Sequence, residues 1–214
     1  SNYIRVSRES NFCRIKYNAS RDYKKLITHG DIDGVIIATP ASTHFDIAKF
    51  FLLKNYNLLI EKPLVTDYSD ALKLGKIYKK KDSIVMIGHI YLHHPAFQVF
   101  ASLVSRIERL RYIKFESGSM GPFREDTSAL WDWGPHDISM CLDIMKKDPV
   151  GVTAWSIGGD IFFLRLDFDQ RAPVFIEMGR LLPEKKRFAI AIGSAGGLLF
   201  DDTREKKLTL YKGI

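Results

Sequence analysis

The sequence predicts an α/β chain in which an incomplete, doubly wound parallel sheet is followed by an α+β domain on an open, largely antiparallel sheet. Three observations predict this. Apolar runs alternate with helical patterns from about residue 20 to residue 88. After Pro95 the alternation gives way to strand-like runs joined by short turns. Finally, 46% of the 214 residues are hydrophobic, which is enough to bury two cores.

The first expected element is a short helix over residues 20–27, capped by Ser20, with Tyr23, Leu26 and Ile27 on one face and Gly30 ending it. Gly34-Val35-Ile36-Ile37-Ala38-Thr39-Pro40 follows as an apolar run closed by proline, the pattern of a strand buried on both faces of a parallel sheet. Thr43 is placed to cap a helix through Phe45, Ala48, Phe51 and Leu52, and residues 56–60 form the next strand. Strand, helix and strand over about 30 residues make a βαβ unit. Asp67 or Tyr68 then opens a helix that turns Ala71, Leu72, Leu74 and Ile77 inward, and residues 83–87 give a third strand ending at Gly88.

Past Pro95 a helix is expected over 96–108, a strand over 110–117, and a helix over 135–145 behind a loop rich in Gly, Pro and acidic residues. Strand-like runs then occupy 152–157, 161–168, 173–178, 188–192, 198–201 and 208–211. Gly158-Gly159, Asp169-Gln170 and Gly196-Gly197 punctuate several of them, and consecutive strands joined by short turns pair antiparallel.

Lys and Arg number 32 against 25 Asp and Glu, a formal charge of +7. The positive charge comes in short runs, Lys79-Lys80-Lys81, Lys146-Lys147, Lys185-Lys186-Arg187 and Lys206-Lys207, each where an element should end and the chain turn. Solvated turns and helix C-termini account for such runs. No helix-turn-helix, zinc-finger or RNP pattern accompanies them, so no nucleic-acid partner is expected. An uninterrupted apolar run of about 18 residues is absent, which excludes a spanning helix and makes a membrane partner unexpected. No basic head, apolar run and small-residue cleavage site opens the chain, so no secretory signal is expected. Cys13 and Cys141 are too few for a disulfide framework and lack metal-ligand spacing; no metal is expected, and a reducing cytoplasm is the expected compartment. The chain starts at Ser1-Asn2 without an initiator Met and stops at Gly213-Ile214, so it is read as open to truncation at both ends.

Ligands of open α/β sheets sit beyond the carboxyl ends of the strands. That rule selects Thr39-Pro40 through His44, Glu61-Lys62-Pro63, and Gly88-His89. The first stretch also reads as an ordinary turn and helix cap, with His44 a surface or capping histidine. Glu61-Lys62-Pro63 places an acid and an amine at a sheet edge, where a cis proline would aim Lys62 across the strand tips; a strand end followed by solvated charges is the alternative. In Trp131-Asp132-Trp133-Gly134-Pro135-His136-Asp137, a helix starting at Pro135 with Asp132 as its cap explains part of the pattern. Asp132 and His136, four apart, also make a carboxylate and imidazole pair suited to general acid/base chemistry.

Taken together these blocks resemble the glucose-fructose oxidoreductase and inositol dehydrogenase family, Gfo/Idh/MocA. The matching segments are Asp31 to Pro40 with His44, Glu61-Lys62-Pro63-Leu64, Gly88-His89 followed by Pro95, Asp132 to Asp137, and Gly193 with Gly196-Gly197. The resemblance implies a Rossmann-like dinucleotide-binding domain over residues 1–90, lacking its first βα unit, and a substrate-binding α+β domain over 91–214. It implies an NAD- or NADP-dependent oxidoreductase of sugars, with Lys62, Asp132 and His136 catalytic. Thr39, Pro40, His44, Glu61 and Lys62 are then expected at the cofactor, and His89, Arg124 and Trp131 at the substrate. In this reading His136 takes the hydroxyl proton, Lys62 stabilises the developing alkoxide, and Asp132 holds the sugar.

Two departures qualify the match. Family members carry a G-x-G-x-x-G turn that holds the pyrophosphate, and these residues contain none. Leu92 stands where many members have Arg, and Gly88 to Pro95 with the loop Gly121 to Asp126 is similar to the branch acting on nucleotide-linked sugars in surface-polysaccharide synthesis. There Arg124 is suited to meet a phosphate bidentately. A sugar-binding or scaffold homologue without hydride transfer is the alternative. The family also implies a homo-oligomer, dimer or tetramer, with residues 161–168 on the paired face.

Overall fold

The computed structural model describes residues 22–29, 32–123 and 127–213, and the chain divides into two units, residues 1–88 and 89–214. In the first unit, β1 (Gly34–Ile37), β2 (Asn57–Ile60) and β3 (Val85–Ile87) pair in parallel in that order. The crossovers are α1 (His44–Leu52) and α2 (Tyr68–Tyr78). Alternate strand residues meet the helices: Ile37, Leu58 and Ile60 join Phe51, Leu52 and Leu74 in one buried cluster.

The opposite side of this sheet differs from the expectation of burial on both faces. Ile36, Leu59 and Met86 lie in one register row and are exposed, Ile36 by 72%. Both crossover helices therefore cover a single face among the described residues.

Asp67 caps α2, its Oδ1 accepting from the Ser69 and Asp70 amides at 2.8 and 3.3 Å; the Ser69 hydroxyl together with these amides holds its carboxyl below the ordinary value. Thr43 precedes α1 without capping it. Its hydroxyl donates instead to the Pro40 carbonyl at 2.7 Å and pairs with the Thr39 hydroxyl at 2.7 Å. The helix expected over 20–27 is a 3-10 helix, Tyr23–His29, with Tyr23, Leu26 and Ile27 against the core as expected. Ser20 and Gly30 lie outside the described residues.

The second unit carries a seven-stranded sheet of order β10-β9-β8-β4-β7-β6-β5. Its strands are β4 (Tyr112–Met120), β5 (Gly151–Ile157), β6 (Ile161–Asp167), β7 (Val174–Gly179), β8 (Leu181–Ile192), β9 (Gly196–Asp201) and β10 (Leu208–Lys212). Neighbours are antiparallel except β4 and β7. Gly158 and Gly159, at φ +60 and +77, make the β5–β6 turn, a backbone that side-chain-bearing residues rarely adopt.

One face of this sheet is covered by α3 (Pro95–Val104) and α4 (Ala129–Met145). Phe97 and Phe100 of α3 and Met140 of α4 pack on Phe115, Ile176 and Phe200, all at most 2% exposed. Cys141 is buried here, and burial pushes its thiol up to about 12. Helix α3 ends at Val104, short of the expected residue 108, and Arg109 turns through φ +45 on the way into β4. Helix α4 begins at Ala129, six residues before Pro135, which is carried inside it. None of the described helices is long and apolar enough to cross a membrane.

Candidate active site

Within the first unit the structure gathers Thr39, Pro40, His44, Glu61 and Lys62 at the carboxyl ends of parallel strands. Thr39 and Pro40 follow β1, Glu61 and Lys62 follow β2, and Gly88 follows β3. The ladder continues one bond beyond the strands, with the Glu61 amide on the Ile37 carbonyl and the Gly88 amide on the Ile60 carbonyl, each at 2.8 Å. Glu61 is exposed and Lys62 half-buried. A Cβ at Gly88 would come within 3.0 Å of Glu61 Oε2, so β3 ends against that carboxylate. The Lys62–Pro63 peptide is cis.

His44 is a buried brace, where a surface or capping histidine was the plainer expectation. Its ring is 1% exposed, with Nδ1 2.8 Å from the Pro63 carbonyl and Nε2 2.8 Å from the Thr39 carbonyl. One imidazole on the first turn of α1 thus ties the loops after β1 and β2 together.

The arrangement fits one end of a dinucleotide: small and charged groups at strand ends, with the two loops tied together by His44. No glycine-rich phosphate turn occurs among the described residues.

In the second unit the expected site residues fall on α4 and in the segment before α3. Because α4 starts at Ala129, Trp131, Asp132 and Trp133 are helical, which corrects the loop and cap assignments made from Pro135. Asp132 and His136 stand one turn apart on the same side of the helix. Asp132 is half-buried, and its Oδ2 lies 3.3 Å from Nη2 of Arg180. His136 is 7% exposed, its ring meeting that of Tyr91 edge to face at 5.1 Å. Trp131 is 37% exposed. His89 is half-buried, and burial depresses its imidazole below the ordinary value. Arg124 lies outside the described residues.

Asp137 points the other way. It is fully buried and accepts from the Ser117 hydroxyl of β4 and from Arg187 Nη1 at 3.2 Å. Burial pushes its carboxyl above the ordinary value, against the pull of Arg187 and Ser117. The Arg187 guanidinium sits between two aromatic faces, 4.7 Å from the Tyr91 ring and 4.9 Å from the Trp133 ring.

The pieces behind Asp132 and His136 thus form a continuous stack: Asp137 and Arg187 inside, Tyr91 and Trp133 around them, His136 on Tyr91. This overturns the reading of Lys185-Lys186-Arg187 as a solvated turn. The run lies within β8: Lys185 is exposed and Lys186 half-buried, whereas Arg187 is buried and shares the core-facing side of the strand with Ala189 and Ala191. Arg180 and Arg187 are the residues that sequence reasoning missed. For Arg187 the available signal was its place directly before the Phe188 to Ile192 run, two residues ahead of Ala189 and so on the same face; Arg180 offered none. Among the described residues no cluster of side chains suits a metal.

The family model for GFO_IDH_MocA, "Oxidoreductase family, NAD-binding Rossmann fold", matches residues 5–89. UDP-N-acetylglucosamine 3-dehydrogenase of Acidithiobacillus ferrooxidans is 32% identical over 127 residues, covering 58% of this chain and 39% of that protein. The crystal structure of a candidate oxidoreductase from Magnetospirillum magnetotacticum superposes with a TM-score of 0.82 at 30% identity, covering 91% of this chain and 66% of that one. An inositol dehydrogenase homolog of Azotobacter vinelandii, crystallised with NADH and myo-inositol, shares the fold with a TM-score of 0.81 at 18% identity, over 89% of this chain and 57% of its own. The matched part of the chain spans about two fifths of the length of the curated relative. With the strand-end loops, the Glu61-Lys62-Pro63 segment and the α4 pair in place, these likenesses show that the chain belongs to the Gfo/Idh/MocA oxidoreductase family.

Proposed function

We propose that the chain serves an NAD(P)-dependent oxidoreductase that acts on a carbinol of a sugar, specifically a nucleotide-linked sugar. The observation that carries this reading is the Asp132 and His136 pair one turn apart on α4, with the Asp132 carboxylate held by Arg180 and the His136 ring seated on Tyr91. A carboxylate held at one oxygen and an imidazole packed on an aromatic ring are suited to holding a sugar hydroxyl and moving its proton. The strand-end loops of the first unit, braced by His44, would hold the nicotinamide end of the cofactor, which supplies the hydride acceptor when bound. Lys62, at the end of β2, carries the positive charge suited to a developing alkoxide. The likeness to UDP-N-acetylglucosamine 3-dehydrogenase supports the nucleotide-linked class.

Calorimetric titration with NAD and NADP, paired with an assay for reduced cofactor on UDP-N-acetylglucosamine, tests the reading. Micromolar cofactor binding with turnover is expected. Binding of the sugar nucleotide with neither cofactor binding nor turnover would favour a homologue that only binds its sugar.

We also propose self-association through the face of the seven-stranded sheet opposite α3 and α4. That face presents Tyr112, Phe163 and Phe175, with Trp155 stacked on Phe163 at 5.4 Å, around a Lys114 that pairs with Glu116 and Glu177 at 2.8 and 3.2 Å. Aromatic residues around satisfied charges suit a protein interface. Phe175→Glu is expected to convert oligomers to monomers in sedimentation velocity; an unchanged sedimentation coefficient would place the interface elsewhere.

A further inference from the structure

Arg180 occupies the single position between β7 and β8. Its amide donates to the Asp160 carbonyl at 2.8 Å and its carbonyl accepts the Gly121 amide at 3.0 Å. The preceding residue, Gly179, allows this: a Cβ there would lie 2.4 Å from the Asp160 oxygen and 2.9 Å from the Ile161 Cα, too close for any side chain. Backbone contacts on both sides therefore fix where the Arg180 side chain starts.

That side chain is 2% exposed. From Nη2 it donates 2.7 Å to the Thr127 carbonyl and reaches Asp132 Oδ2 at 3.3 Å. One residue thus joins four stretches: the β5–β6 turn at Asp160, the end of β4 at Gly121, the approach to α4 at Thr127, and the first turn of α4 at Asp132. A buried ion pair is weak evidence of a stability role, because desolvating two charges offsets much of their attraction and an apolar side chain fills the same space. What a guanidinium adds is a rigid planar fork that sets the direction of each acceptor it binds.

We infer that Arg180 is the positioning residue for Asp132: by holding Oδ2 it sets where the carboxylate that is proposed to hold the sugar stands, and it acts on substrate only through that group. The inference rests on the function proposed above. Holding a hydroxyl equally in ground and transition states affects KM rather than kcat.

The test is a set of four proteins, wild type, Arg180→Met, Asp132→Asn and the double variant, with Arg180→Lys as a milder change should the Met variant fold poorly. Kinetics are measured with UDP-N-acetylglucosamine, and urea unfolding is measured on each protein. Arg180→Met is expected to raise KM by about tenfold or more with kcat within about threefold, while having almost no effect in the Asp132→Asn background. Arg180→Lys, which keeps the charge but loses the fork, is expected to lie between Met and wild type. Equal losses in both backgrounds, or a fall in kcat at constant KM, would overturn the inference. If the wild type neither binds nor turns over the sugar nucleotide, the proposed function fails, and the unfolding midpoints judge Arg180 separately. Additive shifts in the double variant would overturn its link to Asp132, and non-additive shifts would support it.

Discussion

Replacing His136 by Asn is expected to lower turnover by about 10²- to 10⁴-fold, the range that a positioned acid/base group contributes, with secondary structure and unfolding midpoint retained. Asn reaches about as far as the imidazole Nδ1 and stays polar but has no basic nitrogen, so the hydroxyl proton has no acceptor, and the ring contact with Tyr91 is lost with it. Lys62→Ala is expected to act on the same step by a different route, removing the ammonium from the end of β2. The comparison to make is kcat at saturating cofactor for both variants, with circular dichroism confirming the fold. Turnover within about threefold of wild type in both would remove Lys62 and His136 from the chemistry.

Asp137→Ala is expected to produce the largest loss of stability, about 3–5 kcal/mol in urea unfolding, because it leaves the Arg187 charge buried without its carboxylate. The Ser117 hydroxyl, also fully buried, loses its acceptor at the same time. An exposed pair offers the control: Lys146→Ala removes the contact to Asp143 at the end of α4 and is expected to cost less than about 1 kcal/mol. Removing both partners, as Asp137→Ala with Arg187→Met, is expected to recover part of the loss, since no unpaired charge then stays inside. Equal costs for the buried and exposed single variants would show that the Asp137–Arg187 pair does not organise the region behind His136.

The sequence pattern identified every strand of both sheets, missing only the first half of β8, because buried alternation and turn residues are local signals. Gly158-Gly159 is an example: glycine was the readable sign of a backbone at positive φ. What failed did so where distant partners decide. The start of α4 was placed at Pro135 because proline favours a first helical turn, yet tertiary packing of Ala129, Gly134 and Met140 carries the helix six residues earlier. Arg187 was read with its lysine neighbours as solvated, whereas Asp137, fifty residues away, draws it inward.

At the candidate site, the residue types at the strand ends and on α4 were legible. The supports were not: neither the His44 brace between two carbonyls nor the Arg180 contact to Asp132 leaves a local trace, since each depends on chain segments that only the fold brings near.

The position of β4 bears on how the second unit assembles. This strand is central in the sheet, yet its partners on both sides, β7 and β8, are made only after α4, β5 and β6. Its early neighbours in the sequence offer it no hairpin. Loop closure over that distance must precede any reward from pairing, which slows collapse to the native order relative to a meander of adjacent strands. During synthesis β4 therefore waits with both edges open, and a nascent chain ending before β8 would be the species most prone to aggregate.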